Sequence, residues 1–193
     1  MTYCGYINSL KADEYNVHRE YHDTQYGFPI NNDNELFERL ILEINQAGLS
    51  WTTILKKQES FRKAYNNFDI KKVASYKEKE FNRLMNDAGI IRNRLKINAA
   101  IENAKSILKI QKEYGSFKIW LDKHHPKSRE EWTKLFRMTF RFTGGEIVNE
   151  FLVSAGYLPD AHEKECKIYK KILKLKPKWA EAKHAVLPAH NSL

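Results

Sequence analysis

The chain has 193 residues, 42% of them apolar, with a formal net charge of +9. That length suits one domain or two tightly joined lobes, and the apolar share is enough for a real core. No apolar run nears the ~20 residues of a membrane-spanning helix and no membrane partner is expected, while the positive charge favours polyanions, nucleic acid above all.

The front of the chain carries Cys4 and His22 among many aromatic residues: Tyr3, Tyr6, Tyr15, Tyr21, Tyr26 and Phe28, with Trp51 further on. Met1 to Leu10 has no apolar stretch of the kind a secretory signal needs. With two cysteines in all, a cytoplasmic setting is expected.

Helical periodicity dominates the rest. Asn34 to Ala47 places Leu36, Phe37, Leu40, Ile41 and Ile44 on one stripe, with Asn32 or Asp33 as cap and Gly48 as stop. Ser50 is placed to cap a helix containing Ile54 and Leu55, and Glu59 to Phe68 is a further short amphipathic run. Asp69 starts a segment with Ile70, Val73 and Ala74. Lys77 to Ala88 turns Phe81, Leu84 and Met85 inward and breaks at Gly89. Asn93 to Tyr114 is the longest helix, with Leu95, Ile97, Ala100, Ile101, Ala104, Ile107 and Leu108 expected inside and Gly115 as stop. Ser116 to His124 is short and aromatic. Pro126 and Ser128 lead into Arg129 to Met138, and the turn Phe140 to Gly145 separates it from a helix over Glu146 to Ala155. A last helix runs from His162 to Leu175, before Pro177. No strand ladder, repeat or linker interrupts the series. An all-α fold is expected, as a single domain over 1–183 with a flexible tail over 184–193.

Four constellations bear on function. Cys4, His22, His162 and Cys166 make a Cys₂His₂ set, and the i,i+4 spacing of His162 and Cys166 predicts one face of a helical turn. Structural zinc, a Cys4–Cys166 disulfide and plain buried side chains all remain open on spacing alone. Helix–turn–helix segments around Thr143-Gly144-Gly145 and, more weakly, Gly89 have the shape of a phosphate-binding device or of an ordinary αα-hairpin, with Glu146 placed to cap the following helix. Glu43 sits beside the apolar stripe between Leu42 and Ile44. It is either a boundary residue in water or an acid in a pocket. The aromatics are core, or they sandwich a flat ligand such as a nucleobase. The lysines Lys164, Lys167, Lys170, Lys171, Lys174, Lys176, Lys178 and Lys183 read as a solvated helix face or as a polyanion contact.

Cys4-Gly5, Tyr21-His22-Asp23, Tyr26-Gly27-Phe28-Pro29, Gln46 to Trp51, Ile54 to Lys57 and Asp87 to Arg92 together resemble the bacterial 3-methyladenine DNA glycosylase I family. The resemblance runs from Cys4 to Cys166. It implies a helix-hairpin-helix DNA glycosylase fold with a zinc snap (Zn²⁺ on Cys4, His22, His162 and Cys166) joining the N- and C-terminal regions. It implies that Glu43 is the pocket acid, that Tyr21 and Trp51, with Tyr6 and Tyr26, hold and stack the base, and that Leu49 wedges into the gap left by a flipped nucleotide. Phe142, Thr143, Gly144 and Gly145 would grip DNA, leaving the Gly89 turn as scaffold. The implied activity is monofunctional excision of 3-methyladenine from alkylated double-stranded DNA, by a monomer.

This sequence departs from the family pattern at Tyr6, His18, Tyr26, Ile44, Asn149 and Glu150. Ile44 would narrow or reshape the pocket, and Glu150 would add a second carboxylate near the site and alter base preference. Asp160 occupies a place where the wider superfamily carries a catalytic Asp; a helix cap is the simpler reading. A zinc-stabilised module that binds damaged DNA without cutting it, and a helical adaptor with a basic tail, are the rival readings.

Overall fold

The computed structural model describes residues 1–11 and 16–181, so Tyr15, Lys183 and the tail expected over 184–193 lie outside the described residues. Among the described residues every regular element is a helix: α1 Tyr3–Ser9, α2 Val17–Thr24, α3 Asp33–Gln46, α4 Trp51–Ala64, α5 Ile70–Ala74, α6 Glu78–Met85, α7 Arg94–Tyr114, α8 Phe117–His124, α9 Arg129–Thr139, α10 Gly145–Ser154, α11 Lys167–Lys174 and α12 Lys178–Glu181. None of these is long and apolar enough to cross a membrane.

The centre of the fold is α3. Ten of its fourteen residues are buried, from Leu36 to Asn45 without a gap. The apolar stripe covers only part of that circumference. The rest is enclosed because α4, α7, α8 and α10 all pack on α3. A helix surrounded on every side buries its polar residues too, and this is how Glu38, Arg39, Glu43 and Asn45 come to be inside. Asn32 caps α3, its side chain accepting from Asn34 N and Glu35 N. Asp33 reaches further, accepting from the backbone of Phe117 and Lys118 at 2.8 and 3.0 Å, so that α8 is pinned to the start of α3.

Several expectations need correction. The runs after Ser50 and from Glu59 form one continuous helix, α4, because Lys56 to Glu59 are good helix formers with no breaker among them. The chain then turns through Asn66, Asn67 and Phe68, all with positive φ. Leu95 is not buried: it lies in the first turn of α7 on the outer face and is 66% exposed. Leu108 is only partly buried at the core margin. The helix expected from His162 begins at Lys167, with Cys166 as N-cap, and it is not the last, since α12 follows it. Helices α1 and α2, of seven and eight residues, leave little periodic signal. Helices this short are held by packing rather than by propensity. Here Cys4, Ile7, His18, Tyr21 and His22 are their buried residues.

The expected lysine face is as solvated as its pattern suggests. Lys167, Lys170, Lys171 and Lys174 of α11 are exposed while Ile168 and Ile172 are buried. Chain ends meet at Gly27, whose φ is +79° and where a Cβ would lie 2.6 Å from the Ala161 side chain. Its N–H donates to Ser154 O at 2.9 Å. Only glycine fits a backbone crossing this close, and it brings the residues after α2 against both α10 and the segment before α11.

Candidate functional site

A cavity walled by aromatic side chains opens between α1, α2, α3, α4 and α10. Its volume is about 520 Å³, within the range of small-molecule sites, and it is lined by Tyr3, Tyr6, His18, Tyr21, Tyr26, Glu43, Gln46, Trp51, Thr52 and Glu150 among others. Glu43 and the four aromatic residues singled out from the sequence are therefore brought together. Tyr21 meets Trp51 edge-on at 5.2 Å between ring centres and Tyr26 at a tilt of 37° and 5.6 Å. Tyr3, not singled out for the site from sequence, stands perpendicular to Tyr26 at 5.5 Å and stacks on Tyr6 at 6.4 Å. Phe28 does not line the cavity.

Glu43 is 4% exposed, yet it makes no hydrogen bond to any described residue. Burial, with help from the charge of Glu150, pushes its carboxyl up to about 8 against the pull of Arg39. Arg39, one turn earlier, is held elsewhere: its Nη1 donates to Ser154 O at 3.1 Å, and its guanidinium lies 5.2 Å over the Tyr21 ring. An acid buried without partners and facing a cavity is a group waiting for a ligand. Burial also raises Tyr21, Tyr26 and Tyr3, so their hydroxyls remain donors. His18 is lowered by burial and by Lys56, and it bridges Tyr3 Oη and Thr52 Oγ1 at 3.2 and 2.7 Å.

The departures sort themselves. Ile44 is fully buried in the core, away from the cavity, so it does not reshape it. Glu150 does line the cavity. Asp160 is exposed, with φ +78°, and caps no helix, since Cys166 is the N-cap of α11; it is also not among the residues of the cavity wall.

Leu49 projects from the tight turn after α3, where Gly48 has φ +81° and Leu49 N donates to Gln46 O. It is 39% exposed and lies in sequence between Gln46 and Trp51, which line the cavity. Lys96, missed in the sequence, anchors that turn: its buried ammonium donates to Asn45 O and Ala47 O at 2.9 and 2.7 Å and lies 5.9 Å over the Phe142 ring. A cation on the last carbonyls of α3 is favoured by the helix dipole, and it couples the Leu49 turn to the Phe142 turn. There, α9 and α10 are joined by Phe142, with φ +61°, the buried Thr143, and Gly144 as N-cap. Glu146 is not the cap; it is exposed and pairs with Arg129 at 2.5 Å. A Cβ on Gly144 would meet nothing, and on Gly145 only Thr133 at 3.8 Å. The other hairpin is tied down instead: Lys57 Nζ donates to Ala88 O and Gly89 O, and a Cβ on Gly89 would press on Ser60.

Behind the cavity wall, Cys4, His22, His162 and Cys166 converge, with their four ligand atoms within 4.8 Å of one another. Both cysteines are free, so the disulfide reading does not hold. The helical turn expected over His162–Cys166 is a non-helical turn, closed by Cys166 N to Glu163 O at 3.0 Å, which still aims both side chains inward. Neighbouring N and S atoms lie 3.1 to 3.9 Å apart, the edges of a tetrahedron with metal–ligand bonds of roughly 2.0–2.3 Å. The outer nitrogens fit as well: His22 Nδ1 is 2.7 Å from Asp23 Oδ1 and His162 Nε2 is 2.8 Å from Tyr26 O. Such partners hold each ring's proton on the outer nitrogen and leave the inner one free to ligate. The donor set fits a tetrahedral divalent metal.

Comparison with known proteins agrees with this geometry. The sequence model for methyladenine glycosylase matches residues 11–170. The chain is similar to DNA-3-methyladenine glycosylase 1 of Escherichia coli (strain K12), 34% identical over 159 residues covering 81% of this chain and 82% of that one. It is similar to DNA-3-methyladenine glycosylase of Haemophilus influenzae, 36% identical, covering 79% and 92% respectively. Among solved structures, a variant of 3-methyladenine DNA glycosylase I in complex with 3-methyladenine superposes with a TM-score of 0.76 at 32% identity, covering 87% of this chain and 97% of that one. A variant of the Staphylococcus aureus enzyme gives 0.74 at 32%, covering 86% and 97%. With its all-helical fold and the greater part of its length matched in sequence and in structure, the chain belongs to the methyladenine glycosylase family.

Proposed function

We propose that this protein is a DNA repair glycosylase that hydrolyses the N-glycosidic bond of 3-methyladenine flipped out of alkylated duplex DNA. The observation that carries the reading is Glu43, a buried carboxyl without a protein partner, facing a cavity walled by Tyr6, Tyr21, Tyr26 and Trp51.

The chemistry suits that wall. A base within the duplex is out of reach, and flipping it costs a few kcal/mol, least where the pair is damaged. Methylation at N3 gives the attached adenine a positive charge, which π-faces attract. Adenine presents an N6 amine as donor and N7 as acceptor. Glu43 accepts from the amine and opposes the charge, while Trp51 and Tyr21 fix the plane of the ring. When the C1′–N9 bond breaks, its electron pair passes to the base, which becomes neutral. Water adds its oxygen to the electron-poor C1′ and releases a proton. No lysine is among the residues lining the cavity, which supports hydrolysis by water alone rather than a covalent lyase route.

Leu49, exposed and apolar between the lining residues Gln46 and Trp51, suits a wedge for the vacated stack. The open space over Gly144 and Gly145 supports a DNA contact, since nothing inside the protein demands glycine there and the N-terminus of α10 offers free N–H groups to a phosphate. Gly145→Ala is expected to leave the melting temperature unchanged or slightly higher, because alanine is the better helix former, while weakening binding to duplex DNA several-fold. A fluorescence-anisotropy titration beside a thermal melt reads both, and intact DNA affinity would remove the hairpin from the interface. We assign Zn²⁺ to Cys4, His22, His162 and Cys166 as a structural ion; when bound it supplies a cross-link between chain ends and no catalytic step.

The direct test is release of 3-methyladenine from alkylated duplex DNA, resolved by chromatography. Binding of that DNA without release would overturn the enzymatic reading.

A further inference from the structure

The cavity holds two carboxylates, and the reading above uses one. Glu150 enters it from α10 and Glu43 from α3. Its partners are weak: Tyr26 Oη donates to Oε2 at 3.4 Å and Asn149 Nδ2 to Oε1 at 3.3 Å, both long for hydrogen bonds. None of the ion pairs among the described residues includes Glu150. Arg39, the buried cation of this region, is already engaged by Ser154 O, Gln25 O and the Tyr21 hydroxyl. The result is a carboxylate in an aromatic pocket, beside a second and more deeply buried acid on which Arg39 acts, with no cation paired to Glu150 itself among the described residues.

Such a pocket distinguishes ligands by charge. A neutral purine must strip water from Glu150 and gains little in return. A cationic purine is attracted by Glu150, and by Glu43 once its proton has left, through a medium that screens less than water. Glu150 also helps to hold the proton on Glu43, so the pair as a whole accommodates one positive charge better than none. Building on the glycosylase reading, we propose that Glu150 is a specificity-determining residue that makes this pocket prefer purines carrying a positive charge over neutral ones, including the neutral base left after the bond is cut. The base loses its charge as the C1′–N9 electrons move onto it, so the attraction to Glu150 ends with the reaction and the product departs more readily.

The test is a tryptophan-fluorescence titration of the full chain with two ligands. One is 3-methyladenine, the neutral free base. The other is the 3,9-dimethyladeninium cation, whose second methyl stands where the sugar was and fixes the charge. Wild-type protein is expected to bind the cation at least tenfold more tightly than the neutral base. Glu150→Gln, which keeps the size and the hydrogen-bonding capacity, should lose that preference while its affinity for the neutral base changes less than threefold. Glu150→Asp, which keeps the charge, should retain most of it. An unchanged preference in Glu150→Gln would overturn the proposal, as would equal weakening of both ligands. If wild-type protein bound neither ligand, the glycosylase reading itself would fall.

Discussion

Glu43→Gln is expected to lower kcat/KM for base release by about 10- to 100-fold, the usual worth of one hydrogen bond to a charged partner, and to do so without loosening the fold. Glutamine keeps the shape of the side chain and offers adenine both an acceptor and a donor, a known pairing with N6 and N7. The neutral free base should therefore bind the variant almost as well as the wild type. What is lost is the negative charge that a cationic base calls out. Because burial places this carboxyl near 8 in the free protein, the charged form has to be made at a cost of about 1.4 kcal/mol per pH unit below that value. Wild-type kcat/KM should rise with pH up to about 8, and the rise should vanish in Glu43→Gln. Stability runs the other way. A carboxyl raised in the folded state contributes stability that is fully present below its unfolded value of 4.5 and is lost as pH rises through about 8. At pH 9 the variant should melt about 10 °C or more above wild type, since a carboxyl moved from 4.5 to about 8 costs roughly 5 kcal/mol when charged and a chain of this size shifts some 2–4 °C per kcal/mol, whereas near pH 5 the two should nearly coincide. Equal pH–rate profiles would remove Glu43 from the chemistry.

That residue also shows how far a sequence carries. The helix bearing it is legible from Leu36, Phe37, Leu40, Ile41 and Ile44, all of them fully buried, because a single apolar stripe is a local pattern. Whether Glu43 faces water or protein is not local. It depends on four other helices closing around α3, and no periodicity within α3 records them. The same holds for Lys96 and Tyr3. A lysine in a helix and a tyrosine near the start look ordinary until Asn45 O, Ala47 O and the Tyr26 ring arrive from distant parts of the chain. The Cys/His cluster is legible in its members because such residue types are few, but its local geometry is not. Spacing of four residues suggests a helix, and here a turn delivers the same convergence. Leu95 fails for the opposite reason: it fits the run of apolar residues in α7, but at the first turn no other element covers it.

Removing the zinc proposed for the Cys/His cluster should be the most damaging single change. Cys4 lies between Tyr3 and Tyr6, His22 follows Tyr21, and His162 holds the backbone carbonyl of Tyr26 at 2.8 Å. Three of the four ligands thus sit directly beside an aromatic wall of the cavity. An ion that joins α1, α2 and the turn before α11 fixes those walls relative to one another and closes a loop of nearly the whole chain. Without it, two thiols and two imidazoles are crowded together with no charge to organise them, and burial already pushes the Cys4 thiol up and the His162 ring down. An ion that binds only the folded state adds its binding free energy to stability. Stripping it with a chelator, or Cys166→Ser, is expected to cost several kcal/mol and lower the melting temperature by about 10 °C or more. Base release should fall with it, because a displaced α1 opens the pocket to water. Elemental analysis of the purified protein should find one zinc per chain, and calorimetry with and without chelator should show the shift. Protein that contains no metal, or that melts at the same temperature after chelation, would show that packing alone brings the chain ends together. The thiols and imidazoles would then be an ordinary buried cluster, and the rigidity of the base pocket would have to come from Gly27, Arg39 and the contacts around Ser154 instead.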